Sequence, residues 1–141
     1  MILDQDLAFS QAQTIPTGAT TASTNLVDLQ AVRDIGVGED MELVVVITTA
    51  LVGAGTVAVI IQTDDNAAFS SPVTAQTIGT FAAASAAGTK MSAKIQPNAI
   101  VERYMRVAYT SGVLTGGAAS AYLTHGVDNV RYYADALTIT G

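Results

Sequence analysis

His125 is the only histidine in the chain, so any imidazole chemistry must run through it. A cupin-type metal site needs several histidines and a carboxylate, which one imidazole cannot furnish. A Ser-His-Asp relay on an α/β scaffold would need a Gly-x-Ser-x-Gly elbow, and the sequence has none. In its context, Thr124-His125-Gly126-Val127-Asp128, the residue reads as a loop histidine. Gly53-Ala54-Gly55-Thr56-Val57-Ala58 fits the G-x-G-x-x-A phosphate-binding pattern. That pattern must open a helix whose N-terminus meets the pyrophosphate. Here Val57-Ala58-Val59-Ile60-Ile61 follows, which is strand composition, so the glycines read as a turn.

Two acidic clusters, Asp64-Asp65-Asn66 and Glu39-Asp40 with Glu42, supply oxygen donors of the kind that hold Ca²⁺. Neither has the alternating Asp-x-Asp-x-Asp-Gly spacing, and short acidic turns arise for their side-chain-to-backbone bonds. A carboxylate pair for glycoside hydrolysis would need aromatic sugar platforms nearby, and the chain has no Trp, five Tyr and three Phe. With no cysteine there is no disulfide, thiolate metal site or Cys nucleophile. The expectation is a protein without catalytic residues, cofactor or metal.

The 141 residues fit one domain with one core. Half are hydrophobic and 13% are charged, against about 25% charged in an average soluble domain. Two explanations stand together. An Ala- and Val-rich sandwich with a Thr/Ser/Gly surface needs few charges, and a surface covered by other chains needs few as well. Net charge is −6. Arg33, Lys90, Lys94, Arg103, Arg106 and Arg131 are scattered, so no basic stripe tracks a phosphate backbone and nucleic acid is not an expected partner. The first seven residues carry acids and no basic group, unlike a secretory leader. Gly, Thr or charge interrupts every apolar stretch before the ~20 residues of a membrane span, so no membrane partner is expected.

The elements expected are strands. Thr89-Lys90-Met91-Ser92-Ala93-Lys94-Ile95 alternates, placing Met91, Ala93 and Ile95 inward. Residues 41–49 and 56–63 are β-branched and nearly continuous in hydrophobicity, and read as a central hairpin turned by Gly53-Ala54-Gly55. Residues 101–110 and 118–124 form two further strands expected to pair, with Tyr104 and Tyr109 on one and Tyr122 on the other. Residues 72–80 and 25–29 are weaker candidates. Residues 27–34 could instead form one or two helical turns, and residues 81–87 a loop or edge strand. This pattern predicts an all-β, single-domain antiparallel β-sandwich or barrel. The expected organisation is an N-terminal arm and loop at 1–24, a sandwich core at 25–128, and a C-terminal strand or arm at 129–141.

Tyr and Arg are enriched in interface hot spots. Arg131, Tyr132 and Tyr133 are therefore candidate partner contacts, with satellite core packing as the alternative. Asp4 and Asp6, on the N-terminal arm, are the other candidates.

Five phrases resemble the small capsid cement (decoration) proteins of tailed bacteriophages. They are Ala22-Ser23-Thr24-Asn25-Leu26-Val27-Asp28-Leu29, Arg33-Asp34-Ile35-Gly36-Val37-Gly38-Glu39, and Gln62-Thr63-Asp64-Asp65-Asn66-Ala67-Ala68-Phe69-Ser70-Ser71-Pro72. Glu102-Arg103-Tyr104-Met105-Arg106-Val107 and Thr115-Gly116-Gly117-Ala118-Ala119-Ser120-Ala121-Tyr122-Leu123 complete the series. Order and spacing match to about Leu123, and residues 129–141 match less well. The resemblance implies a jelly-roll sandwich and no catalytic residues. It implies a homodimer or homotrimer on the outer capsid surface of the virion, made in the host cytoplasm and bound to the major capsid protein. Residues 1–24 and 129–141 are expected to act as arms that add strands to a partner's sheet. The alternative is a carbohydrate- or receptor-binding sandwich module of a phage tail or fibre.

Overall fold

The computed structural model describes residues 5–32 and 41–125. Nine strands follow a 3₁₀ turn at Gln5–Leu7: β1 (Ala8–Thr14), β2 (Thr20–Ala22), β3 (Val27–Asp28), β4 (Met41–Gly53), β5 (Val57–Asp64), β6 (Val73–Phe81), β7 (Lys90–Lys94), β8 (Tyr104–Ser111) and β9 (Leu114–His125). One sheet has the order β1-β9-β4-β7, and the other β2-β8-β5-β6 with the short β3 also on β8. Every ladder is antiparallel. The pairs β1–β9, β2–β8, β4–β7 and β5–β6 nest inside one another, as if one long hairpin were wrapped until β4 met β9 and β5 met β8. That is the jelly-roll arrangement of a β-sandwich.

Side chains of alternate register rows fill the space between the sheets. Leu43, Val45, Ile47 and Leu51 of β4 face Val57, Val59 and Ile61 of β5, with Phe9, Phe81, Met105, Val107, Tyr109 and Leu123 completing the core. β7 behaves as its alternation predicts: Lys90, Ser92 and Lys94 are exposed, and Met91, Ala93 and Ile95 turn inward. One polar link crosses the core, a hydrogen bond shared by the Ser10 hydroxyl of β1 and the Tyr109 hydroxyl of β8. It satisfies two hydroxyls that would otherwise be stranded in apolar surroundings. Burial pushes the Tyr109 phenol up to about 12. At the sheet edge, the Gln76 amide of β6 donates to the Lys94 carbonyl and accepts from the Gln96 N–H, both at 2.9 Å. It ties β6 to the end of β7 across the seam between the two sheets.

Several expectations are corrected. Residues 41–49 and 56–63 are not a hairpin: β4 pairs with β9 and β7, whereas β5 pairs with β8 and β6. The Gly53-Ala54-Gly55 turn carries the chain from one sheet to the other. The strands containing Tyr104/Tyr109 and Tyr122 are likewise in opposite sheets; Tyr122 lies opposite Val44 and Ala8. Apolar runs specify burial but not the ladder partner, and both errors arise there. The N-terminal segment is no arm beyond Leu7, because β1 and β2 are strands of the two sheets and Phe9 and Ile15 are core residues. Two readings hold: within residues 25–29 the strand reading is the one realised, at Val27–Asp28, and most of residues 81–87 is loop, after Phe81 ends β6.

Three connections turn the same corner between the sheets. Gly18 N–H donates to the Gly112 carbonyl at 2.8 Å, Gly112 N–H to Thr56 at 2.9 Å, and Gly55 N–H to Val113 at 2.9 Å. These bonds extend backbone pairing round the bend. The approach is so close that a Cβ on Gly55 would lie 2.5 Å from the Val113 nitrogen and 2.6 Å from the Gly112 carbonyl carbon. Gly18, at φ +62°, faces open space. Gly18→Ala is expected to cost about 1 kcal/mol for its left-handed backbone, whereas Gly55→Ala should abolish cooperative unfolding or lower Tm several times further. Thermal denaturation followed by circular dichroism checks the order; equal effects would refute the close packing of the corner. Deleting residues 1–24 removes β1, β2, Phe9 and Ile15, and is expected to unfold the domain by the same measurement.

Candidate functional site

Opposite the glycine corner, at the far end of β5, the loops enclose a cleft. Their anchor is Asp64, the last residue of β5 and almost wholly buried (1% exposed). Its carboxylate accepts backbone N–H bonds from Asn66 at 2.9 Å and Ser71 at 2.8 Å. The loop tightens further through Ala68 N–H to the Asn66 side chain and Phe69 N–H to the Asn66 carbonyl. The Asn66 N–H bond, followed by that of Ser71, holds the Asp64 carboxyl below the usual carboxylate range against burial. Asp65 moves the opposite way, chiefly because it shares a hydrogen bond with Asp64. The sequence reading of Asp64-Asp65-Asn66 as an acidic turn closed by side-chain-to-backbone bonds describes this loop.

The knotted loop fixes Phe69 at φ +49°, a left-handed backbone that a bulky aromatic residue rarely adopts. Phe69 is buried, and the Arg106 guanidinium of β8 lies 4.1 Å from its ring centroid. Arg106 Nε donates to the Gln62 side chain at 2.9 Å. Stack and hydrogen bond together hold the guanidinium plane in one orientation. Partial burial lowers the Arg106 pKa, and the charge of Asp64 works against that shift. Among the described residues no carboxylate lies within ion-pair distance of Arg106.

Arg106, Phe69 and Ala67 form one wall of a cleft of about 570 Å³; Asn25 and Leu26, after β2, and Asp6, on the 3₁₀ turn, form the others. Asn25 is held by its N–H on the Phe9 carbonyl and its side-chain amide on the Ala8 carbonyl. The cleft thus offers one cation, the carboxylate of Asp6, the side-chain amides of Gln5 and Asn25, and apolar contact from Leu26, Ala67 and Phe69.

Beside it, Arg103 grips Asp28 through two bonds of 2.7 Å, pinning β3 to β8, and lies 4.9 Å from the Tyr104 ring centroid. The Arg103 bonds hold the Asp28 carboxyl down at about 2, from an ordinary 3.8.

Of the sequence-derived partner contacts, Asp6 is exposed and lines the cleft. Asp4, Arg131, Tyr132 and Tyr133 lie outside the described residues, as do Glu39 and Asp40. His125 is exposed at the end of β9, opposite Met41. Among the described residues no three His, Cys, Asp or Glu side chains converge as a metal site. Arg106, Phe69 and Asn25 were missed by sequence reasoning. One signal was available: Gln62 and Arg106 interrupt otherwise apolar strands in a chain with few charges, and such interruptions mark a polar pair on one sheet face.

The strand order defines a jelly-roll sandwich, with a loop cleft at one end. The chain matches the Bbp16 family over residues 9–123 and belongs to that family. That span runs from β1 almost to the end of β9. A search of curated proteins finds no match.

The Asp28–Arg103 pair stabilises the folded state above about pH 4, and its contribution is lost as pH falls through about 2. Carboxyl NMR should place the Asp28 midpoint near 2, and Arg103→Gln should return it towards 3.8. An unchanged midpoint in the variant would remove Arg103 as the cause.

Proposed function

We propose that the chain is a capsid cement or decoration protein, which binds the outer surface of a phage head and clamps neighbouring major capsid protein subunits. The observation that carries this reading is the outer face of the β2-β8-β5-β6 sheet. One row across it reads Thr20, Thr110, Ala58, Thr80, and the next Ala22, Ala108, Ile60, Thr77. Neither of these rows holds a charge; the face's charge comes in the third row, Arg106, Gln62 and Thr74, beside the loop end. Interface centres are depleted in charged residues, because a charge must be desolvated when two surfaces meet. A rigid sheet face loses little conformational entropy on docking, and repetition through a homodimer or homotrimer multiplies modest contacts by effective concentration. The resemblance across residues 22–123 supports the same reading.

A sugar-binding module of a tail or fibre would present an open aromatic ring. None of the six aromatic residues described is exposed, and Arg106 and Arg103 lie over Phe69 and Tyr104.

Cryo-electron microscopy of heads assembled with and without the chain is expected to show added density on the outer surface. Heads lacking the chain should release DNA at lower temperature. A chain that stays a lone molecule beside intact heads, or binds selectively on a glycan array, would overturn the proposal.

A further inference from the structure

We infer that the Arg106 cleft is a recognition site for one Asp or Glu side chain presented by an extended segment of a partner protein. Arg106 is partly desolvated, and among the described residues no carboxylate makes an ion pair with it; Asp64 acts on it only through its field. A partly buried charge compensated only at a distance is costly to fold around, and part of that cost is recovered when a ligand supplies a direct opposite charge. Phe69 covers a face of the guanidinium and Gln62 occupies Nε. The terminal N–H groups remain as a fork of the kind that binds a carboxylate through two parallel bonds.

Several features select a protein carboxylate over other anions. The acid whose field reaches Arg106 is Asp64, already committed to the backbone of its own loop. Asp6 lies on the cleft beyond ion-pair distance of Arg106. With Asp64 beside this cation and −6 on the whole chain, a phosphate dianion or nucleic acid is opposed more strongly than a single negative charge. Leu26, 38% exposed, and Ala67 offer apolar contact to a flanking side chain, and the Asn25 amide oxygen can accept a peptide N–H. A volume of about 570 Å³ holds two or three residues of extended chain. Asp64 is thereby a positioning residue, acting through the loop that sets Phe69 against Arg106.

The inference deepens the docking role by naming the chemistry of the partner group, and its test is separable from that role. The probe is the peptide acetyl-Ala-Glu-Leu-amide, titrated into the ¹⁵N-labelled full chain at low salt, with acetyl-Ala-Gln-Leu-amide and inorganic phosphate as controls. Saturable shifts are expected at Arg106 Nε, the Asn25 side-chain amide and the Ala67 and Phe69 N–H groups, with affinity at least tenfold above either control. Arg106→Gln should abolish the shifts while keeping a dispersed amide spectrum, and Arg106→Lys should restore binding only in part. Equal shifts with the glutamine peptide or phosphate, persistence in Arg106→Gln, or no shifts would overturn the inference. Arg106→Gln chains that decorate heads as well as the unaltered chain would overturn its role in docking and leave cement function standing. Glutamate-peptide binding by a chain that ignores heads would reject cement function and leave the site intact.

Discussion

The fold depends on how closely three stretches of backbone approach at one corner of the sandwich. A wrapped hairpin must carry each strand pair over the rim from one sheet to the other, and at the rim its hydrogen-bonding groups would face water or nothing. Here Gly18, Gly55 and Gly112 let the three crossings bond to one another, so the ladder continues round the bend. Only residues without a Cβ allow the Gly55 and Gly112–Val113 backbones to come so near. With the corner closed, β4 and β5 lie against different neighbours, and the core forms between them.

The opposite end has another organising principle. There, irregular chain is ordered by a buried carboxylate that takes the place of strand pairing. Asp64 satisfies backbone N–H groups at both ends of its loop. The loop's unusual backbone at Phe69 follows from that constraint, and the orientation of Arg106 follows from Phe69. A strained aromatic residue held by a satisfied buried charge is the kind of local cost that recognition sites carry. The neighbouring Asp28–Arg103 pair is more exposed, and its task is to fix β3 on β8.

Strand content and the all-β class were legible from alternation and β-branched runs, and β7 follows its pattern residue by residue. Pairing was not legible. Val44 and Val59 sit in equally apolar runs, and nothing in either run specifies a partner sheet. Gly53-Ala54-Gly55 was recognised as a turn, but the same glycines suit a hairpin and a crossover; the Gly112 backbone, 57 residues after Gly55 in the sequence, decides between them. β1 was hidden because its polar residues include Ser10, whose hydroxyl is matched by a tyrosine 99 positions away. The cleft was hidden for the same reason: Asn25, Phe69 and Arg106 meet only after wrapping, although the acidic turn that positions them was visible.

The first and last of the described strands are neighbours that run in opposite directions, with Ala8 beside Tyr122. The described chain therefore enters and leaves at the same end of one ladder. Tension applied in opposite directions to these two points would peel β1 from β9 one hydrogen bond at a time, the weakest way to strain such a pair. Pressure or shear delivered to the broad faces meets all the ladders at once. Within the described residues, the β1–β9 ladder is therefore weakest against tension between its two outer ends.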